Sequence, residues 1–482
     1  MNARETTNQR TRRRLVEAGL GLGVLRFGGP LVVGMVLHTL FNLVDMFMIS
    51  RLPNSGAALA ALGLCDMVAA VATILSNGIA TAAVALITRH VGAGYLTGVR
   101  RATYQSLWLV GALSVAFGLL GIFGSDFIVR RIMFAKGDTA DVAVVYLEVM
   151  LGGSFSIFLL LHLTAVLRAL GHAKTATMLL VGGNALNILL NVFLIYGDGP
   201  APDMFAWGAP VARALGIPRL EVLGAAYATI IARTVPVIIG LVLLVRRRGG
   251  PRFHPLYLRP NAEVLRSILR IGWPASAQLV LRVASILVVI ALINAEYTTG
   301  SDQSALTAYS ICLRLETMAL FVGMGWGAAA SSFVGTNLGA GFPERAKRAG
   351  LVAAAYNLVM MLALGLLYIR YSDAILGFFD STPAVLQVGR EYLGIVALSY
   401  AFLGVGVVLS QAMTGAGATL SSLVLDGVLL LGIILPTAYV VAATLDLPRE
   451  SLFWVIALGN VGSALAYVGY YATGAFLRKQ VA

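Results

Sequence analysis

Four oxygen-bearing side chains stand out because of where they fall in the chain: Asp45, Asn187, Asn191 and Thr229. Each lies inside a long apolar run, where a carboxylate costs about 2.5–3.5 kcal/mol on insertion scales. Asn187 and Asn191 are four apart, so a helix puts them on one face. Counted from the nearer ends of their runs, Asp45 and Asn191 are about five residues deep, Thr229 about eight and Asn187 about nine. All four therefore sit roughly 8–14 Å below the same membrane surface. Oxygen groups at one depth can coordinate a hard cation such as Na+ or form a proton-binding network. The asparagines and the threonine serve equally well as glue between membrane helices. A carboxylate is costly glue, which makes Asp45 the stronger candidate.

Other polar residues inside the runs carry weaker expectations. His38 precedes Asp45 by seven residues, two turns away on the same face, and could relay protons or simply pack as a hydrogen-bonded histidine. Arg282 and Glu316 lie about twelve and eleven residues from the same-side ends of consecutive runs, a depth match that predicts a buried ion pair. Glu316 and Asp426 are accessory candidates for attracting a cation. Pro30 removes a backbone donor early in the first run and predicts a bend there. No His-Glu-x-x-His, Gly-x-Ser-x-Gly or phosphate-loop motif is present, so an enzyme is not expected. No cofactor is expected either. Any uphill transport must draw on an ion gradient, H+ or Na+. Cys65 and Cys312 read as buried thiols.

The elements that must position these residues are membrane helices. A chain of 482 residues with 59% hydrophobic and 12% charged residues cannot hide that apolar content in a soluble core. Apolar runs recur at 25–50, 57–88, 104–124, 143–167, 174–196, 221–245, 265–294, 305–332, 349–372, 388–413, 418–443 and 451–476. The net charge of +13 is a topology signal. Arg89, Arg100, Arg101, Arg168, Arg345 and Arg348 fall in connections of one side, while Asp126, Asp138, Asp198 and Asp302 fall on the other. The positive-inside rule then puts both termini in the cytoplasm. An integral protein of the bacterial cytoplasmic membrane is expected, with membrane lipids around it, no nucleic-acid partner and a monomeric state. No cleavable signal peptide is expected.

The chain also repeats itself. Val91-Gly92-Ala93-Gly94-Tyr95 returns as Leu338-Gly339-Ala340-Gly341-Phe342, each between two apolar runs. Pro30 matches Pro274, and Ala169-Leu170-Gly171 matches Gly415-Ala416-Gly417, at nearly the same offset. These repeats divide the chain into residues 1–250 and 251–482, each with six helices. The expected fold is an all-α membrane protein of twelve transmembrane helices, in two pseudo-symmetric six-helix bundles around a central cavity.

On the residues Phe41-Asn42-Leu43-Val44-Asp45, the Gly-Ala-Gly connectors, Leu167-Arg168-Ala169-Leu170-Gly171, Asn187-Ile188-Leu189-Leu190-Asn191, Gly224-Ala225-Ala226-Tyr227-Ala228-Thr229 and Leu435-Pro436, the chain resembles the multidrug and toxic compound extrusion (MATE) transporters over essentially its whole length. The likeness is closer to the DinF-like branch than to the NorM-like one. The resemblance implies efflux of small cationic or amphipathic organic compounds by alternating access, driven by protons or sodium. It also implies that Asp45 belongs to the proton or cation site, joined by Asn187, Asn191 and Thr229. Some relatives carry a second acid where this chain has Asn191, which favours a proton over sodium here. The NorM-like branch places acids where this chain has Arg282 and Leu403. An alternative cargo is a lipid or lipid-linked oligosaccharide, for which Arg233, Arg282 and Arg314 could meet phosphate.

Overall fold

The computed structural model describes residues 12–17, 19–52, 55–246, 257, 259–300 and 302–478, excepting the side chains at 13, 14, 39–43, 45, 46, 55 and 57–59. The boundary expected at residue 250 lies outside the described residues. The described residues fold into helices and their connections, with no strand among them. A bilayer demands this, because a helix satisfies its backbone polar groups internally.

The long helices are α1 (Leu20–Ser50), α2 (Ser55–Gly92), α3 (Leu96–Ile132), α4 (Gly137–Gly152 and Ser154–Ala169, bent by 45°), α5 (Ala173–Tyr196) and α6 (Glu221–Arg246). A second set follows: α7 (Ala262–Glu296), α8 (Ser304–Gly339), α9 (Pro343–Arg370), α10 (Pro383–Gly415), α11 (Thr419–Thr444) and α12 (Arg449–Thr473). Eleven are long and apolar enough to cross a membrane, and the bent α4 makes up to twelve. Helix α1 runs through Pro30 as one helix, and the Thr177 hydroxyl donates to the Pro30 carbonyl at 3.1 Å.

The repeated connector is explained glycine by glycine. Gly94 and Gly341 have φ of 71° and 82°, a left-handed conformation that Gly adopts without steric cost. Each ends its helix in the same way. Tyr95 N–H donates to the His90 carbonyl at 2.9 Å, and Phe342 N–H to the Asn337 carbonyl at 2.9 Å. Gly171 and Gly417 repeat the motif after α4 and α10.

Gly92 and Gly339 serve closeness instead. A Cβ at Gly92 would overlap the Thr336 carbonyl oxygen of α8, and one at Gly339 would overlap the Arg89 carbonyl oxygen of α2. The two sets of six helices therefore meet backbone to backbone at the connectors. Arg89 adds a hydrogen bond from its guanidinium to the Ala416 carbonyl at 3.0 Å.

The first halves of α1 and α7 cross over. Val24, Phe27 and Leu31 of α1 are buried in one core with Ala319, Trp326 and Phe333 of α8. Ile268 and Ile271 of α7 are buried in another with Ala82 and Leu86 of α2. Small residues permit both crossings. A Cβ at Gly325 would stand 2.7 Å from the Val32 Cα, and one at Gly272 would stand 2.9 Å from the Gly78 carbonyl oxygen. Ser276 of α7 also donates to the Ile74 carbonyl of α2 at 3.0 Å. Further along α1, the edge of the Phe321 ring of α8 meets the His38 ring, 6.2 Å between centroids.

Gly339→Val is expected to destabilise the protein by about 1–3 kcal/mol, the cost of overpacking a close crossing. Gly63→Ala, where an added Cβ meets nothing within 4 Å, is the control. Thermal unfolding in detergent should show a lower Tm for the first and not for the second.

Candidate ion-coupling site

The polar residues of the first six helices converge where α1, α5 and α6 pack together. Asn187 of α5 donates from Nδ2 to the Thr229 hydroxyl of α6 at 3.2 Å. Asn191, one turn further along α5, is fully buried, and Asn187 nearly so. On α1, the Nδ1 of His38 is hydrogen-bonded to the Asn184 side-chain amide of α5 at 3.1 Å. Arg233 of α6 acts electrostatically on both His38 and Asp66 of α2. Asp45 belongs to α1, five residues before its end at Ser50. Its side chain lies outside the described residues. As a helical position it shares the face of His38, seven residues back.

The depth argument thus brought Asn187 and Thr229 together, and the structure adds two residues it did not select. Asn184 lies three residues before Asn187 on the same face. Asp66 is the sole acid within the run 57–88, and that was the available signal. Among the described residues no group of three His, Cys, Asp or Glu converges. The polar groups here are chiefly amides and a hydroxyl, donors and acceptors suited to a proton network or a hard monovalent cation.

The second six helices hold a different arrangement on the pseudo-symmetric helices. Arg282 of α7 donates from Nε to Asp426 Oδ2 of α11 at 2.6 Å. Gln278 of α7 donates to the same oxygen at 2.8 Å, and Tyr467 of α12 donates to the other at 2.7 Å. The Gln278 amide also reaches Ser410 of α10 at 3.0 Å. The carboxylate is fully answered. This corrects the ion pair expected between Arg282 and Glu316. Glu316 instead accepts from the Tyr392 hydroxyl at 3.2 Å. Equal depth gave no azimuth: Arg282 faces α11, while Glu316 faces α10. Asp426, taken as an accessory cation attractor, already holds the guanidinium as its cation.

The family model MatE matches the chain twice, over residues 30–193 and 275–440. Among curated relatives, a protein named FAD transporter from Shewanella oneidensis is 26% identical over 435 residues, 89% of each chain. A probable multidrug resistance protein NorM from Pseudomonas putida is 25% identical over 453 residues, 92% of each chain. Among solved structures, a MOP-superfamily transporter from Pyrococcus furiosus has a TM-score of 0.84 at 23% identity, covering 97% of this chain and 99% of its own. The likeness to that structure is one of fold.

Asp426→Asn leaves the Arg282 guanidinium uncompensated inside the bundle, a loss expected to be about 3–5 kcal/mol. Adding Arg282→Met should recover part of it. A double variant no more stable than Asp426→Asn alone, in thermal unfolding, would show that the pair is not the source.

Proposed function

The chain belongs to the MatE family, the multidrug and toxic compound extrusion transporters, and from that premise we propose that it is a proton-driven antiporter exporting cationic or amphipathic organic compounds. The observation that carries the coupling is the asymmetry between the two sets of helices. On α1, α5 and α6, His38 meets Asn184 and Asn187 meets Thr229, and α1 carries the acid Asp45 two turns beyond His38. On α7, α11 and α12 the acid, Asp426, is held by Arg282 at 2.6 Å. Exchange with a solution ion is therefore assigned to Asp45.

The positive-inside rule makes the connector face cytoplasmic. The glycine crossings then close the cytoplasmic side, and Asp45 lies near the outer surface, within reach of protons from outside. Ionised, it attracts a cationic substrate or favours one arrangement of α1. Protonated, it loses that attraction and the substrate leaves. Pro30 leaves the Arg26 carbonyl without a helical donor and gives α1 a place to bend. The halves rock about their crossings as a monomer in the cytoplasmic membrane.

A lipid or phosphate-bearing cargo is the second reading, supported by the relative named FAD transporter and by the arginines of the spans. Arg282 is neutralised by Asp426, and Arg233 acts electrostatically on Asp66. The exposed Arg314 is then the main candidate for an anion. Drug cations raising the Tm of the purified protein would favour the first reading, and FAD or a lipid-linked sugar doing so would favour the second.

In proteoliposomes under a proton gradient at constant sodium, Asp45→Asn should lose drug exchange by roughly 5–150-fold, equivalent to about 1–3 kcal/mol of coupling. Wild-type exchange in that variant would sink the assignment. Exchange that follows a sodium gradient at clamped pH would transfer the coupling to Na+, held by Asp45, Asn187, Asn191 and Thr229.

A further inference from the structure

We propose a second proton-binding site, in the C-terminal six helices, at the carboxyl group of Glu316. It builds on the proton-coupled reading, but it stands on its own geometry. Glu316 lies twelve residues into α8 and is half-buried. Among the described residues its one hydrogen bond is the 3.2 Å donation from Tyr392 of α10. No described cation pairs with it. Arg282 is engaged with Asp426, and Arg314, two residues away on α8, faces another direction on the helix.

The remaining surroundings are phenols and a thiol. Tyr309 and Cys312 come from α8, Tyr368 from α9, and Tyr392 and Tyr400 from α10. The Tyr368 hydroxyl is spent on the Leu315 carbonyl at 3.2 Å. Helix α12 contributes Phe453 against the Tyr392 ring, 5.0 Å between centroids. Its own charge, Arg449, is paired with Glu391 at 2.9 Å. From α1, His38 meets α8 at Phe321 and not at the acid. Tyr400 is fully buried, interacts electrostatically with Glu316, and its hydroxyl has no hydrogen-bond partner.

An ionised carboxylate held by a single phenol, with no described cation on it, carries an uncompensated desolvation cost where it is buried. The neutral acid removes that cost and brings an O–H donor to a region where a phenol oxygen is still unanswered. Proton uptake converts the carboxylate to the acid, and release restores the carboxylate on its one Tyr392 bond. Asp426 is the contrast within the same six helices. Its carboxylate accepts from an amide, a phenol and a guanidinium.

The test is dicyclohexylcarbodiimide labelling of the purified wild-type protein, without substrate or gradient, read by peptide mass spectrometry. The reagent adds to protonated carboxyls in apolar surroundings. At about neutral pH, Glu316, which no described cation occupies, is expected to be labelled roughly tenfold more than Asp426, which Arg282 holds. The excess should fall as pH rises. Labelling of Glu316 no greater than that of Asp426 overturns the proposal. In proteoliposomes, Glu316→Gln should halve the number of protons exchanged per substrate, and an unchanged ratio likewise overturns it. Asp45→Asn should leave the Glu316 label intact, so failure at Asp45 and failure at Glu316 are told apart.

Discussion

How closely two backbones can approach governs this molecule. At Gly92 and Gly339 the helices α2 and α8 run so near each other that a methyl group on either would overlap a carbonyl of its partner. In a membrane there is little hydrophobic drive to join helices, because lipid tails are as apolar as leucine. Close packing must supply the attraction, and glycine allows it. The crossings at Gly78 with Gly272 and at Val32 with Gly325 extend the same device toward the middle of the bilayer. Beyond them lies the polar chemistry, on the portions of α1, α5 and α6 that the joint leaves unclamped.

Duplication placed equivalent helices in equivalent positions and left their chemistry free to diverge. Helices α1, α5 and α6 bring together His38, Asn184, Asn187 and Thr229. Helices α7, α11 and α12 bring together Arg282, Asp426 and Tyr467. At the offset between Pro30 and Pro274, His38 corresponds to Arg282. A titratable ring on one side thus answers a fixed charge on the other. A guanidinium bound by a carboxylate that also receives an amide and a phenol has no reason to let go, since breaking a buried pair costs several kcal/mol. The Arg282–Asp426 cluster thus acts as a brace between α7 and α11.

Much of this was legible in the residues. The Gly-Ala-Gly repeat announced two halves because each of its glycines answers a distinct steric demand, a left-handed turn at Gly94 and Gly341 and a close approach at Gly92 and Gly339. Counting residues into each run gave depth correctly enough to join Asn187 to Thr229. Depth alone failed for Arg282 and Glu316, because helices consecutive in sequence need not turn those faces toward each other. Asp66 passed unnoticed because α2 otherwise reads as uniform apolar packing. The crossing of α1 and α7 between the halves has no local signature at all. It depends on which small residues find each other across more than half of the chain.

That exchange of first halves bears on how the protein is made. The ribosome delivers α1 long before α8, yet Val24, Phe27 and Leu31 find their native neighbours on α8. Until then this stripe and the notch at Gly28 face lipid or provisional partners. Helix α7 faces no such delay, since α2 is already in the membrane when it arrives. Contacts so distant in sequence close last. The first six helices are therefore expected to carry an open docking edge until α8 arrives, and the core on that edge is filled only as α9, α10 and α12 follow.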